Sequence, residues 1–293
     1  MIQFRPISLQ DKTEYERLAE SRGYKGCEMS FSNLFLWGDQ KISFVNGCMV
    51  FFSTFSRSFY HFPVGDGDKK TVIDEIIKDA NERNIPLEIT SVSEKERAIL
   101  EELYPNEFVF NSNENSFDYV YDINNLADLP GKKYHKKRTH LNNFIKNHPN
   151  FRVEPFNSEN LPNIIKMVNE WYAQKDGDFD YEKTVFGRAI ENFESLEIEG
   201  LALFDGDEVL AVTFASRMAQ DTFDVHFEKA RADVDGAYPA INSEFAKYIR
   251  NKYREVKYLD REEDMGILGL RKAKQSYYPE FQVVKYVAKK KQR

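Results

Sequence analysis

The sequence predicts an α/β (α+β) protein made of two successive halves, each a mixed and mostly antiparallel sheet flanked by helices. Three observations carry that expectation. The 293 residues exceed the roughly 100 to 200 of an ordinary single domain. Stretches with strand patterning alternate with helical ones along the whole chain. The same order of elements then occurs twice, although direct identity between the two halves is weak.

The first half opens with a short strand at residues 2–7 and a helix that Ser8 or Asp11 can cap, with Tyr15 and Leu18 on its apolar face. A helix through Ser32 to Trp37 follows. Two apolar runs, 41–45 and 48–55, flank Asn46-Gly47, the strongest short hairpin signal. After a strand at 59–63 and the Gly65-Asp66-Gly67 turn comes a helix over 71–84, with Val72, Ile73, Ile76, Ile77 and Ala80 on one side. Strand 87–90, a helix over 94–104 ended by Pro105, and closing strands at 107–110 and 117–121 complete residues 1–125 as an N-terminal domain.

Residues 126–150 read as a basic linker helix and 151–293 as the C-terminal domain. The latter runs through a strand at 151–155, helices over 161–174 and 181–193, and a strand at 201–204. Asp205-Gly206-Asp207 then turns into the strand 209–217. Strand 222–228 alternates Phe223, Val225 and Phe227 against Asp224, His226 and Glu228, the pattern of a strand with two unlike faces. A long loop over 230–239, a helix over 240–253, strand 256–259, a helix ending near Tyr278 and the strand 281–287 follow. The basic run Lys289 to Arg293 reads as a soluble tail.

An aromatic share of 14% and an apolar share of 41% supply material for buried cores and exclude wholesale disorder. No stretch approaches ~18 uninterrupted apolar residues, and the start has no apolar run of signal-peptide type, so a cytoplasmic protein without a transmembrane segment is expected. The net charge of -7 confines any nucleic-acid contact to a local basic region. Cys27 and Cys48 have no paired spacing and the five histidines form no ligand motif, so buried thiols and no metal site are expected.

Element order in both halves resembles the GNAT acyltransferase fold in tandem, an arrangement shared by Fem-type peptidoglycan aminoacyltransferases and lysyl-lipid synthases. A sharper likeness lies in Gly269-Leu270-Arg271, Lys274, Tyr277, Pro279, Phe281 and Tyr286, which resembles the C-terminal signature of phosphatidylglycerol lysyltransferases. That signature covers about 18 residues, and the looser likeness runs through Gly236, helix 240–253 and strand 256–259. The membrane-spanning part of those enzymes has no counterpart in these residues.

In a GNAT-like half the strand pair before the third helix splays, and the donor's pyrophosphate sits on that helix's unpaired N-terminal N–H groups. The resemblance puts that place at Arg231 to Asn242, so Arg231, Gly236, Ala237, Tyr238 and Asn242 are candidate donor-binding residues, joined by Arg271, Lys274 and Tyr277. Arg271 and Lys274, three apart on a helix, can turn their charges to one side and clamp an anion. Glu228, Asp260 and Glu262 are candidate carboxylates for taking a proton from the attacking group, and His226 is expected on the same side as Glu228.

Lys132, Lys133, Lys136, Lys137 and Arg138 crowd a predicted helix start, against the helix dipole, and make a candidate RNA- or phosphate-binding stripe. The resemblance implies an acyl or aminoacyl transferase acting from an acyl-coenzyme A thioester or an aminoacyl-tRNA on an amine or hydroxyl acceptor. Coenzyme A is slightly favoured, because no further RNA-binding domain is evident. The competing expectation is a non-catalytic nucleotide- or RNA-binding module of the same fold. No oligomeric state follows from the sequence.

Overall fold

A computed structural model describes residues 1–291, so Gln292 and Arg293, the end of the expected basic tail, lie outside the described residues. The chain divides into two compact units. The first comprises Met1–Asp118, Glu263–Leu268 and Gln282–Arg293; the second comprises Tyr119–Glu262 and Gly269–Phe281.

In the first unit β1 (Arg5–Pro6) leads through α1 (Lys12–Ala19) and α2 (Phe31–Leu36) to the hairpin of β2 (Lys41–Val45) and β3 (Cys48–Ser53). Asn46 and Gly47 both take positive φ, 45° and 77°, which a two-residue primed turn demands of its central pair. Then come β4 (Phe59–His61), β5 (Val64–Gly65), α3 (Lys69–Glu82), β6 (Glu88–Val92), α4 (Glu94–Leu103) and β7 (Phe108–Ser112). Ser93 starts α4 with a capping box, its hydroxyl accepting from the Glu96 N–H while the Glu96 carboxylate accepts from the Ser93 N–H. Val72, Ile73, Ile76 and Ala80 of α3 pack on Val50, Tyr60, Ile89 and Leu100 in one apolar core.

The second unit contains β8 (Asp118–Asp122), α5 (Ile123–Asp128), α6 (His135–Asn147), β9 (Arg152–Pro155), α7 (Leu161–Ala173), α8 (Asp180–Glu191), β10 (Glu199–Asp205), β11 (Glu208–Ala219), β12 (Thr222–Ala230), α9 (Ala237–Lys252), β13 (Tyr258–Asp260) and α10 (Leu268–Gln275). Its sheet runs β14-β8-β13-β12-β11-β10-β9, where β14 is Phe281–Val283. The last strand, β15 (Tyr286–Lys290), returns to the first sheet between β6 and β7. Among the described residues no helix is long and apolar enough to cross a membrane.

Four expectations are corrected by this path. Strand 117–121 does not close the first half: Tyr121 and Val120 pair with Leu259 and Asp260 in the second sheet, and Tyr119, Tyr121 and Ile123 are buried in that unit's core. Residues 126–150 are no linker, because Leu126, Ala127, Tyr134 and Phe144 are buried against Ala237, Ile241 and Phe245 of α9. The described part of the basic run, Lys289 to Lys291, is no loose tail either. Lys289 and Lys290 lie in β15, where Lys289 pairs with Glu88 at 2.7 Å and Lys290 with Glu107. The expected single strand 281–287 is two strands in two sheets, which removes 282–293 from the C-terminal unit. Cys27 and Cys48 are buried thiols, as expected.

Candidate functional site at the strand fork

The second sheet opens where β12 leaves β13. The two are parallel neighbours over Thr222↔Tyr258, Phe223↔Leu259 and Asp224↔Asp260, after which β12 continues to Ala230 paired with β11 alone. Beyond Asp224, one edge of β12 therefore loses its strand partner.

A bulge in β12 decides which side chains meet there. Phe214 of β11 faces Phe227 and the next residue, Ala215, faces Val225, so His226 is the extra residue. The insertion breaks the alternation read from the sequence, because side chains swap faces at an added residue. Phe227 stacks on Phe214 at 5.3 Å, whereas Glu228 sits opposite Thr213 on the side that turns Ala211, Ala215 and Ala230 toward α9. His226 and Glu228 thus lie on opposite faces, contrary to expectation.

On the α9 side Glu228 accepts from Arg261 Nη2 at 2.7 Å and from Asn242 Nδ2 at 3.3 Å. Arg261 follows β13 directly, and its guanidinium lies over the rings of Tyr277 (5.0 Å) and Tyr121 (5.7 Å). Arg261 Nη1 and Asn242 Oδ1 are buried without a hydrogen-bond partner in the protein. Lys137, from α6, places its ammonium 3.9 Å from the centre of the Tyr277 ring. Burial, and then the neighbouring Arg261 charge, push the Lys137 ammonium down from 10.5 to about 8, with Glu228 opposing the shift. Burial raises the Tyr238 hydroxyl, which also feels Glu228. Two cations and one carboxylate thus converge at the fork, suited to holding an anionic group beside a proton acceptor.

The other expected site residues have different work. Gly236 adopts φ 81° at the start of α9, and a Cβ there would lie 2.2 Å from the His140 carbonyl oxygen of α6. The missing side chain lets α6 approach α9. Ala237 is buried in the core, and Arg231 spends its guanidinium on Glu208 and on Asp233 at 3.0 Å. Lys274 is 7% exposed and donates to the carbonyls of Arg261 and Glu262, the latter at 3.0 Å. The expected anion clamp with Arg271 is therefore not formed. Lys274 instead supports the turn that carries Arg261, in which Glu262 has φ 57°.

Asp260 is fully buried and accepts from the Glu262 N–H at 2.7 Å, so its carboxylate stabilises that turn and does not line the fork. Glu262 turns to the other face, 3.6 Å from His226 Nδ1. In the basic stripe α6 begins only at His135. Lys132 and Lys136 are exposed, Lys133 lies over the Tyr278 ring, and Arg138 is tied to the carbonyls of Leu129 and Gly131. Of the stripe, only Lys137 enters the cluster. A groove of about 590 Å³, lined among others by Glu199, Arg217, Tyr248 and Lys252, lies elsewhere in this unit. Its central carboxylate, Glu199, already accepts from Tyr248, Lys252 and Tyr253.

Two units of mixed sheet and helix, the second with a strand fork beside a helix start, define a tandem GNAT-like fold. Residues 20–289 match the family described as phosphatidylglycerol lysyltransferase, C-terminal, and the chain belongs to that family. A conserved protein of unknown function from Bacteroides thetaiotaomicron VPI-5482 is 35% identical in solved structure, with TM-score 0.92 over 99% of this chain and 100% of that one. L-PGS from Bacillus licheniformis is 16% identical, with TM-score 0.69 over 97% of this chain and 93% of its own, a likeness of fold. The uncharacterized protein MYCGA3080 of Mycoplasmoides gallisepticum is 26% identical over 179 residues, 60% of this chain and 57% of that protein. The chain thus spans little more than half the length of this curated relative.

Proposed function

We propose that the protein transfers an aminoacyl group from an aminoacyl-tRNA to an amine or hydroxyl acceptor at the fork between β12 and β13. The observation that carries this reading is the pairing of Arg261 with Lys137 around Glu228. Lys137 reaches the cluster from the basic helix α6, so a polyanion lying along that helix would end at the reacting group. Family membership supports aminoacyl transfer as the reaction class.

In this mechanism the acceptor's nitrogen or oxygen adds to the ester carbonyl while Glu228 takes its proton. Main-chain N–H groups on the unpartnered edge of β12 hold the developing oxyanion. Collapse breaks the ester C–O bond, and Glu228 passes the proton it took to the departing ribose oxygen, which restores the carboxylate. Arg261 and Lys137 hold the donor's terminal phosphate. An acyl-coenzyme A donor, the first expectation, loses support because Gly236, the residue meant to admit its pyrophosphate, is packed against α6.

Thermal shift with total tRNA, acetyl-coenzyme A and coenzyme A tests the choice, since a ligand bound only by the folded state raises the melting temperature. A shift with tRNA that weakens steeply with salt and disappears in Arg261→Ala and Lys137→Ala is expected. A shift with acetyl-coenzyme A alone would overturn the donor assignment. No shift with any of the three would favour a binding module for another ligand.

A further inference from the structure

The opposite face of the same fork carries a second cluster. His226, the bulge residue, has a side chain only 2% exposed, and its Nε2 is 2.8 Å from Ser216 Oγ. Its Nδ1 faces Asp224 Oδ2 at 3.4 Å and Glu262 Oε1 at 3.6 Å, yet makes no hydrogen bond within the protein. Asp224 is fully buried and Glu262 is 23% exposed. One ligand atom from each of the three residues lies within 4.8 Å of the others.

The two distances from Nδ1 are those between neighbouring ligand atoms in a coordination shell. Bonds of about 2.0–2.2 Å from a tetrahedral ion to imidazole nitrogen and carboxylate oxygen put neighbouring ligand atoms roughly 3.3–3.6 Å apart. A hydrogen bond would instead draw Nδ1 to about 2.7–3.2 Å from one oxygen. Ser216 also has the role that metal-binding histidines require of a neighbour: when it accepts the Nε2 proton, it leaves the Nδ1 lone pair directed at the two carboxylates. The buried His226 Nδ1, which has no hydrogen-bond partner, then offers its lone pair at the point that the two carboxylate oxygens also approach.

We infer that Asp224, His226 and Glu262 form a divalent transition-metal site, of the zinc class, with one coordination position left for water. The ligand set of one imidazole and two carboxylates suits zinc, and cobalt by substitution, over calcium or magnesium. The ion would tie β12 to the turn after β13 and so hold the fork open. The other such cluster, Cys27, Glu28 and Asp118 in the first unit, already surrounds a cation. The Lys285 ammonium is 2.6 Å from both Glu28 and Asp118.

Zinc titrated calorimetrically into the metal-free full-length protein should bind at one equivalent and raise the melting temperature. His226→Gln and Glu262→Gln should each lower zinc affinity by tenfold or more, roughly the 10- to 100-fold or greater loss typical of disturbing a metal's ligands or their support. Glu262 is partly exposed, so its variant separates ligand loss from misfolding if the burial at His226 makes that variant unstable. Cobalt(II) should give visible ligand-field bands without sulfur-to-cobalt charge transfer. Absence of zinc binding, binding undiminished in both variants, or a thiolate band pointing to Cys27 would overturn the assignment. None of these readouts depends on transfer activity.

Discussion

Lys137 shows how a single residue can couple site and stability. Its folded-state pKa of about 8 lies below the 10.5 of an unperturbed lysine, chiefly because burial disfavours the charged ammonium. Below about 8 both folded and unfolded chains carry the proton, and the fold bears the full burial cost. Between about 8 and 10.5 the unfolded chain binds more protons, so this residue's contribution to stability rises with pH. Lys137→Met should therefore be more stable than the parent near pH 7, with the gap shrinking toward pH 10. Urea unfolding of both proteins at the two pH values measures it, and a gap that stays constant would mean the ammonium is not desolvated. The same substitution should weaken tRNA binding, the usual trade of stability for function at a charged site.

At the scale of elements, the close approach of α6 to α9 rests on Gly236. Gly236→Ala brings a methyl group against the His140 carbonyl and puts a Cβ at φ 81°. Together a left-handed penalty of about 1–2 kcal/mol and an overpacking cost of about 1–3 kcal/mol should destabilise the protein by about 3 kcal/mol. Gly206 gives the control: its φ is 58°, but nothing lies within 4 Å of the place its methyl would take, so Gly206→Ala should cost only the backbone share. Equal losses in the two variants would refute the contact. These residues also mark what the sequence could reveal. The Asn46-Gly47 hairpin was legible because a local backbone requirement selects the residue type. Glycine at 236 announced a close approach without naming what approaches. Helical spacing put Arg271 and Lys274 near one another but could not say that Lys274 points inward. Arg261 was hidden in a charged run, and the bulge at His226, which moves Glu228 to the α9 side, leaves no mark in an otherwise regular alternation.

For the whole molecule the hardest feature to read was the path of the chain, since pairings such as Leu259 with Tyr121 join short strands far apart in sequence. A cut at the boundary suggested by the sequence therefore removes part of a core. Residues 151–293 lack Tyr119, Tyr121, Ile123, Leu126, Tyr134 and Phe144, all buried in the second unit, and lack β8, the strand beside β13. At about 1.5–3 kcal/mol for each large buried side chain, these six amount to roughly 10 kcal/mol or more, comparable with the 5–15 kcal/mol stability of a whole domain. A fragment of residues 151–293 should not melt cooperatively, and it carries β15 without the strands that flank it in the first sheet. A fragment of residues 119–281, which keeps every member of the second core, should give a single cooperative transition by circular dichroism. If 151–293 melts cooperatively as well, the β8, α5 and α6 contribution is dispensable and the domain boundary lies where the sequence first suggested. If only 119–281 does, the fork can be studied apart from the first unit, and its tRNA response measured against that of the full chain reports what the first unit adds to tRNA binding.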